Sequence, residues 1–183
     1  MVELNSDRLT ESYLNFIAIK ESLAYVQKES FRSSDDAFLN TIGFPYVNQS
    51  IKDRKSFVNS KMEEMVNSMD ELIVLGLVSD FEKIVFDRLE NASGEISKIV
   101  KEKYKGVPFN KFSLDFVKTA KEIDKLSVIK SIISPKLPVE LVEKFAEVVE
   151  FRNRLAHGKR FGKQSMLTYD EIAQTLDDVL NFI

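Results

Sequence analysis

Apolar residues recur at the 3.6-residue period of a helix along most of the chain, and no stretch shows the two-residue alternation of a strand. Leu9, Tyr13, Phe16, Ile17, Leu23 and Ala24 mark a first amphipathic helix over roughly residues 7–31, with Ser6 or Asp7 placed to cap it. The pattern breaks at Arg32-Ser33-Ser34-Asp35-Asp36, and Gly43-Phe44-Pro45 is a turn signal. Residues 32–49 therefore read as a long connection, with room for a short helical turn near Ala37-Phe38-Leu39. A second stripe runs from about residue 50 through Val58, Met62, Met65, Val66, Met69, Leu72 and Ile73. Its methionines read as core filler. Ser79-Asp80 offers a fresh cap, which predicts that the helix restarts or kinks there. Phe81, Ile84, Val85, Leu89, Ala92, Ile96, Ile99 and Val100 then carry the next stripe toward Tyr104.

Lys105-Gly106-Val107-Pro108 ends that helix with both common breakers. Phe112, Phe116, Ala120, Ile123, Val128 and Ile132 predict another over roughly 112–133, closed by Ser134-Pro135. Pro138 suits the first position of the next helix, whose stripe is Leu141, Val142, Phe145, Val148, Val149, Leu155 and Ala156. After a polar loop from Gly158 to Thr168, Thr168-Tyr169-Asp170-Glu171 forms a capping box for a last helix carrying Ile172, Leu176, Val179, Leu180 and Ile183. The expectation is a single all-α domain over 1–183, an antiparallel bundle of five or six helices.

Composition narrows the chemistry. The chain has 183 residues, 44% of them hydrophobic and 30% charged, the balance of an ordinary globular domain. With no cysteine, disulfides, thiolate catalysis and Cys-ligated zinc are excluded. The single histidine removes His-rich metal sites and leaves only carboxylate chemistry for a metal; no cofactor is expected. The opening Met1–Asp7 is polar without a basic n-region, and the longest apolar run, 72–78, is too short to span a bilayer. A cytoplasmic protein without membrane contact is expected. The net charge of −3 is unevenly spread: residues 98–136 hold 10 Lys/Arg against 4 Asp/Glu, while residues 1–97 hold 10 against 17. A local basic surface could guide a polyanion, although a solvated lysine face explains the same charge.

One stretch stands apart, Phe151-Arg152-Asn153-Arg154-Leu155-Ala156-His157-Gly158-Lys159-Arg160, which holds the only histidine. Arg152 falls seven positions after Phe145, on the apolar stripe, where a guanidinium is costly unless paired or open to a polar interface. Asn153 and His157, four apart, share a face. From Phe151 to Tyr169 there are five cations, Arg152, Arg154, Lys159, Arg160 and Lys163, and no acid. A plain capped helix accounts for Arg154, His157, Gly158 and Lys159, since cations complement the C-terminal dipole and glycine is the usual C-cap. It leaves Arg152 unexplained unless a carboxylate from another helix, such as Asp80, Glu82 or Asp87, is its partner.

Arg152-Asn153, three residues and His157-Gly158 together resemble the Arg-x4–6-His signature of the HEPN superfamily, late in an all-α domain with one helix to follow. Leu77-Val78-Ser79-Asp80-Phe81-Glu82 is similar to a helix start in HEPN groups of bacterial conflict and RNA-repair-associated systems. The sharp match covers about seven residues, the helix pattern most of the chain. The resemblance implies metal-independent endoribonuclease activity in a homodimer whose motif helices meet, within a toxin–antitoxin or phage-defence system, with an antitoxin as a possible partner. It casts Arg152, Asn153 and His157 as catalytic: His157 as general acid or base, Arg152 as phosphate holder, and Asn153 as the group orienting either. Arg154, Lys159, Arg160 and Lys163 would bind RNA, expected to be single-stranded. The alternative is a non-catalytic HEPN-like module for partner binding or assembly. A carboxylate-bridged metal bundle is disfavoured, because Glu147 and Glu150 do not stand at the Glu-x-x-His offset from His157.

Overall fold

In a computed structural model, residues 2–32, 51–103, 105, 126–158 and 165–183 are described. They form five α-helices and one 3-10 turn, with no strand among them. The helices are α1 (Asp7–Arg32), α2 (Ile51–Lys103), α3 (Leu126–Ile133), α4 (Val139–Ala156) and α5 (Tyr169–Asn181). Of the connection expected over 32–49, Arg32 instead ends α1, and the rest with its helical turn lies outside the described residues, as does the first part of the helix foreseen over 112–133.

Side-chain ties fix how the long helices run. Arg8 meets Asp80, Phe16 lies over Gly76 and Lys20 meets Asp70, so α1 and α2 are antiparallel. Asn5 and Ser6 donate to Asp177 and Tyr13 to Asp170, which sets α5 antiparallel to α1. Ser165 and Met166 bond Glu147 just before α5 begins, and Glu140, Lys144, Gln174 and Asp178 line one groove further along. Helices α4 and α5 are therefore antiparallel as well. These four helices make an up-down-up-down bundle.

The core is one cluster drawn from every helix. Ile73, Leu77 and Phe81 from α2 meet Phe145 and Val148 from α4 and Ile172, Leu176 and Val179 from α5, all of them buried. Each such side chain contributes about 1.5–3 kcal/mol by leaving water. Phe81 and Phe145 pack with ring centroids 5.4 Å apart at 58°, a tilted pair of the favourable kind. The Phe16 ring of α1 lies directly over Gly76 of α2, so a methyl group there would run into it.

Two local expectations are corrected. Helix α2 neither stops nor restarts at Ser79-Asp80 but continues for 53 residues, about 80 Å at 1.5 Å per residue. Asp80 does not cap its own helix, because its carboxylate is taken by α1: one oxygen accepts from Arg8 Nε at 2.8 Å and the other from Ser12 Oγ. Pro138 stands at the N-cap of α4 instead of its first turn, where its carbonyl accepts from Val142 N–H at 3.0 Å. It follows a 3-10 turn, Ser134–Lys136, that carries the chain from α3 into α4. The capping box of α5 forms as its sequence requires: Thr168 Oγ1 accepts from the Glu171 amide at 3.2 Å, and Glu171 Oε2 accepts from the Thr168 amide at 2.8 Å.

Candidate functional site

The polar end of α4 is built by two opposed requirements. Phe145, Val148 and Val149 must face the core, so the same stripe one turn later carries Arg152 against α2. There Arg152 Nη2 lies 3.2 Å from Oε1 of Glu82 and 3.5 Å from Oε2. Its Nη1 donates to Asn153 Oδ1 at 3.3 Å. The pair is neither surface nor core, with the Arg152 side chain 31% exposed and that of Glu82 19%. A guanidinium offers five N–H donors, and these contacts leave several for another anion.

Of the three carboxylates that could have met Arg152, Asp80 is committed to Arg8 and Ser12, and Asp87 lies exposed. Glu82 is thus a member of the site that its motif alone does not declare.

His157 is the C-cap of α4, its ring in solvent. Its amide donates to the Asn153 carbonyl at 3.0 Å, and the Gly158 amide to the Leu155 carbonyl at 3.1 Å. Gly158 holds φ at 65°, the left-handed conformation that lets the chain turn off the helix and that a side chain would disfavour. Arg152, Asn153 and His157 therefore lie within the last two turns of one helix. The link between Asn153 and His157 is a backbone bond, while the Asn153 side chain serves Arg152.

Arg154 points elsewhere. It lines a cleft of about 660 Å³ between α2, α4 and the start of α5. Val74 and Ile172 form the buried floor, Phe151 and Leu155 one wall, and Asn67, Asp70, Glu71 and Arg154 the polar rim. Asp70 is held by Lys20 Nζ at 2.7 Å, and that ammonium also sits 4.3 Å from the centre of the Tyr169 ring. Tyr169 closes the cleft beside Thr168. One signal in the sequence relates the cleft to Glu82: Glu71 stands 11 residues earlier, about three helical turns, and so on the same line of α2.

Glu147 anchors the segment that leads from the motif into α5. It accepts from Ser165 Oγ at 2.7 Å and from the Met166 amide at 2.6 Å. These two donors hold its carboxyl below the ordinary glutamate range.

Lys159, Arg160 and Lys163 lie outside the described residues, so Arg154 alone of the four expected RNA-binding cations is placed. Among the described residues no three His, Asp or Glu side chains gather as a metal-binding group, and no helix is long and apolar enough to cross a membrane. Compared with protein-family models, with curated proteins and with solved structures, the chain matches none.

Proposed function

We propose that this chain is a metal-independent endoribonuclease of HEPN type, acting as a homodimer joined through α4 in a cytoplasmic toxin or phage-defence system. The observation that carries the reading is the convergence of Arg152, Asn153 and His157 on the last two turns of α4, with Arg152 still partly open to solvent. In the reaction the ribose 2′-oxygen attacks the adjacent phosphorus and the bond from phosphorus to the 5′-oxygen breaks. The 2′-hydroxyl proton passes to a base, and an acid returns a proton to the leaving oxygen. The products are a 2′,3′-cyclic phosphate and a 5′-hydroxyl.

His157, whose side chain is exposed, supplies the acid or base, the role imidazole most often takes. The free N–H groups of Arg152 bind the phosphate oxygens as their charge grows, a role suited to a planar cation. Asn153 and Glu82 hold that guanidinium in place from two sides. Two protomers would set two such helix ends, each with Arg154 beside it, around one RNA strand. A substrate with 2′-deoxyribose at the cleaved junction tests the chemistry. It should survive uncut while the all-ribose strand is cleaved, and cleavage of both would rule out 2′-hydroxyl attack.

A second reading, a non-catalytic module that binds a protein partner, draws on the same ion pair. Glu82 already satisfies much of Arg152, as a purely structural arginine requires. Under that reading neither substrate is cut.

A further inference from the structure

The side of the α1–α2 pair turned away from α5 is apolar and uncovered. Leu9 and Tyr13 turn α1 toward the core and α5, while Arg8, Ser12 and Phe16 turn it toward α2. Ile19 continues the line of Arg8 and Ser12, and Leu72 stands one turn before Gly76, on which Phe16 lies. Ile19 and Leu72 nevertheless stay 45% and 53% exposed, and Met65, two turns before Leu72, 46%. The register set by Lys20 and Asp70 brings Ser22 level with Ser68 and Ile19 level with Leu72. Ser22 donates its hydroxyl to the Ala18 carbonyl at 2.7 Å and Ser68 to that of Glu64 at 2.9 Å. Both hydroxyls are thus satisfied by their own helices, and the serines can be covered without stranding a donor.

Each row ends in charge, and the two rows end in opposite signs. Glu11 lies three turns before Ser22 on α1, and Lys83 three turns after Leu72 on α2. Both are exposed, and neither has an ion pair with a described residue. Glu29 and Lys61 repeat the order at the other end, each in a pair along its own helix. We propose that this face is a two-fold interface with a second copy of the chain. Turned about an axis parallel to the helices, the second hairpin lays its α1 over α2 and its α2 over α1. Ile19 then meets the partner's Leu72, and the small serines let the helices approach closely. Glu11 comes within about one turn of the partner's Lys83, twice by symmetry. A contact between identical surfaces must be self-complementary, and an acidic row laid over a basic one meets that condition. This face is separate from α4, which packs on α2 through Glu82 and on α5, so the interface does not rest on the ribonuclease reading.

The test is sedimentation equilibrium of the whole protein, whose single chain weighs 21.0 kDa. Wild type should form at least a dimer, and Leu72→Asp should at least halve the assembled mass. Leu72 is half exposed, so that variant should fold, which a thermal melt checks. Glu11→Lys and, separately, Lys83→Glu should each weaken the association several-fold, and the two together should restore it. Restoration would show the two charges meeting between copies, which a general loss of stability cannot imitate. A monomeric wild type, an assembly unchanged in folded Leu72→Asp, or charge variants whose combination is no better than either alone would overturn the interface. RNA cleavage or its absence leaves this result untouched, and an assembly that survives Leu72→Asp intact is held together elsewhere, as the α4 contact would hold it.

Discussion

A guanidinium that leaves water must be met by an anion or by acceptors, and Arg152 is met by both, Glu82 on one side and the Asn153 side chain on the other. Its partial exposure sets what substitution should cost. Exposed pairs contribute about 0–1 kcal/mol, and breaking a buried one costs about 3–5 kcal/mol. Arg152→Ala should fall between, at about 1–2 kcal/mol in a urea melt, while abolishing RNA cleavage in a protein that still folds. A loss above about 3 kcal/mol would make Arg152 a structural residue first. Glu147 gives a second prediction at this scale. Its folded-state pKa is depressed by Ser165 and Met166, so its contribution is present above the unfolded-state value and is lost as pH falls through the folded one. Amide exchange at Met166, corrected for the intrinsic pH dependence, should speed up through the acid range below the ordinary glutamate value. Glu147→Gln should flatten that profile, and an unchanged profile would contradict the assignment.

At the scale of elements, what could be read from the sequence followed from how locally each feature is encoded. Helices α4 and α5 were legible because their stripes, the Thr168–Glu171 box and Gly158 all lie within a few residues of the ends they define. Asp80 misled because a cap and a cross-helix partner are the same residue type, and the deciding neighbours, Arg8 and Ser12, stand 72 and 68 positions away. Glu82 could be named only as one of three carboxylates for the same reason. The cleft was invisible, since Asn67 and Tyr169 are brought together by packing alone. A contact of this non-local kind also ties the chain's start to its last helix. The buried Asp177 carboxylate accepts from the Asn5 amide, the Asn5 side chain and the Ser6 amide at 2.8–3.0 Å. Asp177→Ala should therefore destabilise the fold by roughly 2–4 kcal/mol, because hydrogen bonds to a charged acceptor are the stronger kind. A change under about 0.5 kcal/mol would mean that residues 2–6 do not depend on it.

For the whole molecule, the up-down-up-down bundle carries the end of α4 and the start of α5 to the same end. Arg152, His157 and the Arg154 cleft thereby lie around the last turns of α4, with Glu82 and Asp70 supplied by the single long helix α2. The proposed reaction assigns its proton transfer to a single side chain, and that makes the account simple to challenge. Wild type and His157→Ala, each confirmed folded, should be incubated with a mixed single-stranded RNA pool in EDTA. The account predicts cleavage by wild type alone, leaving 2′,3′-cyclic phosphate ends; no cleavage by wild type, or equal cleavage by both proteins, would contradict it.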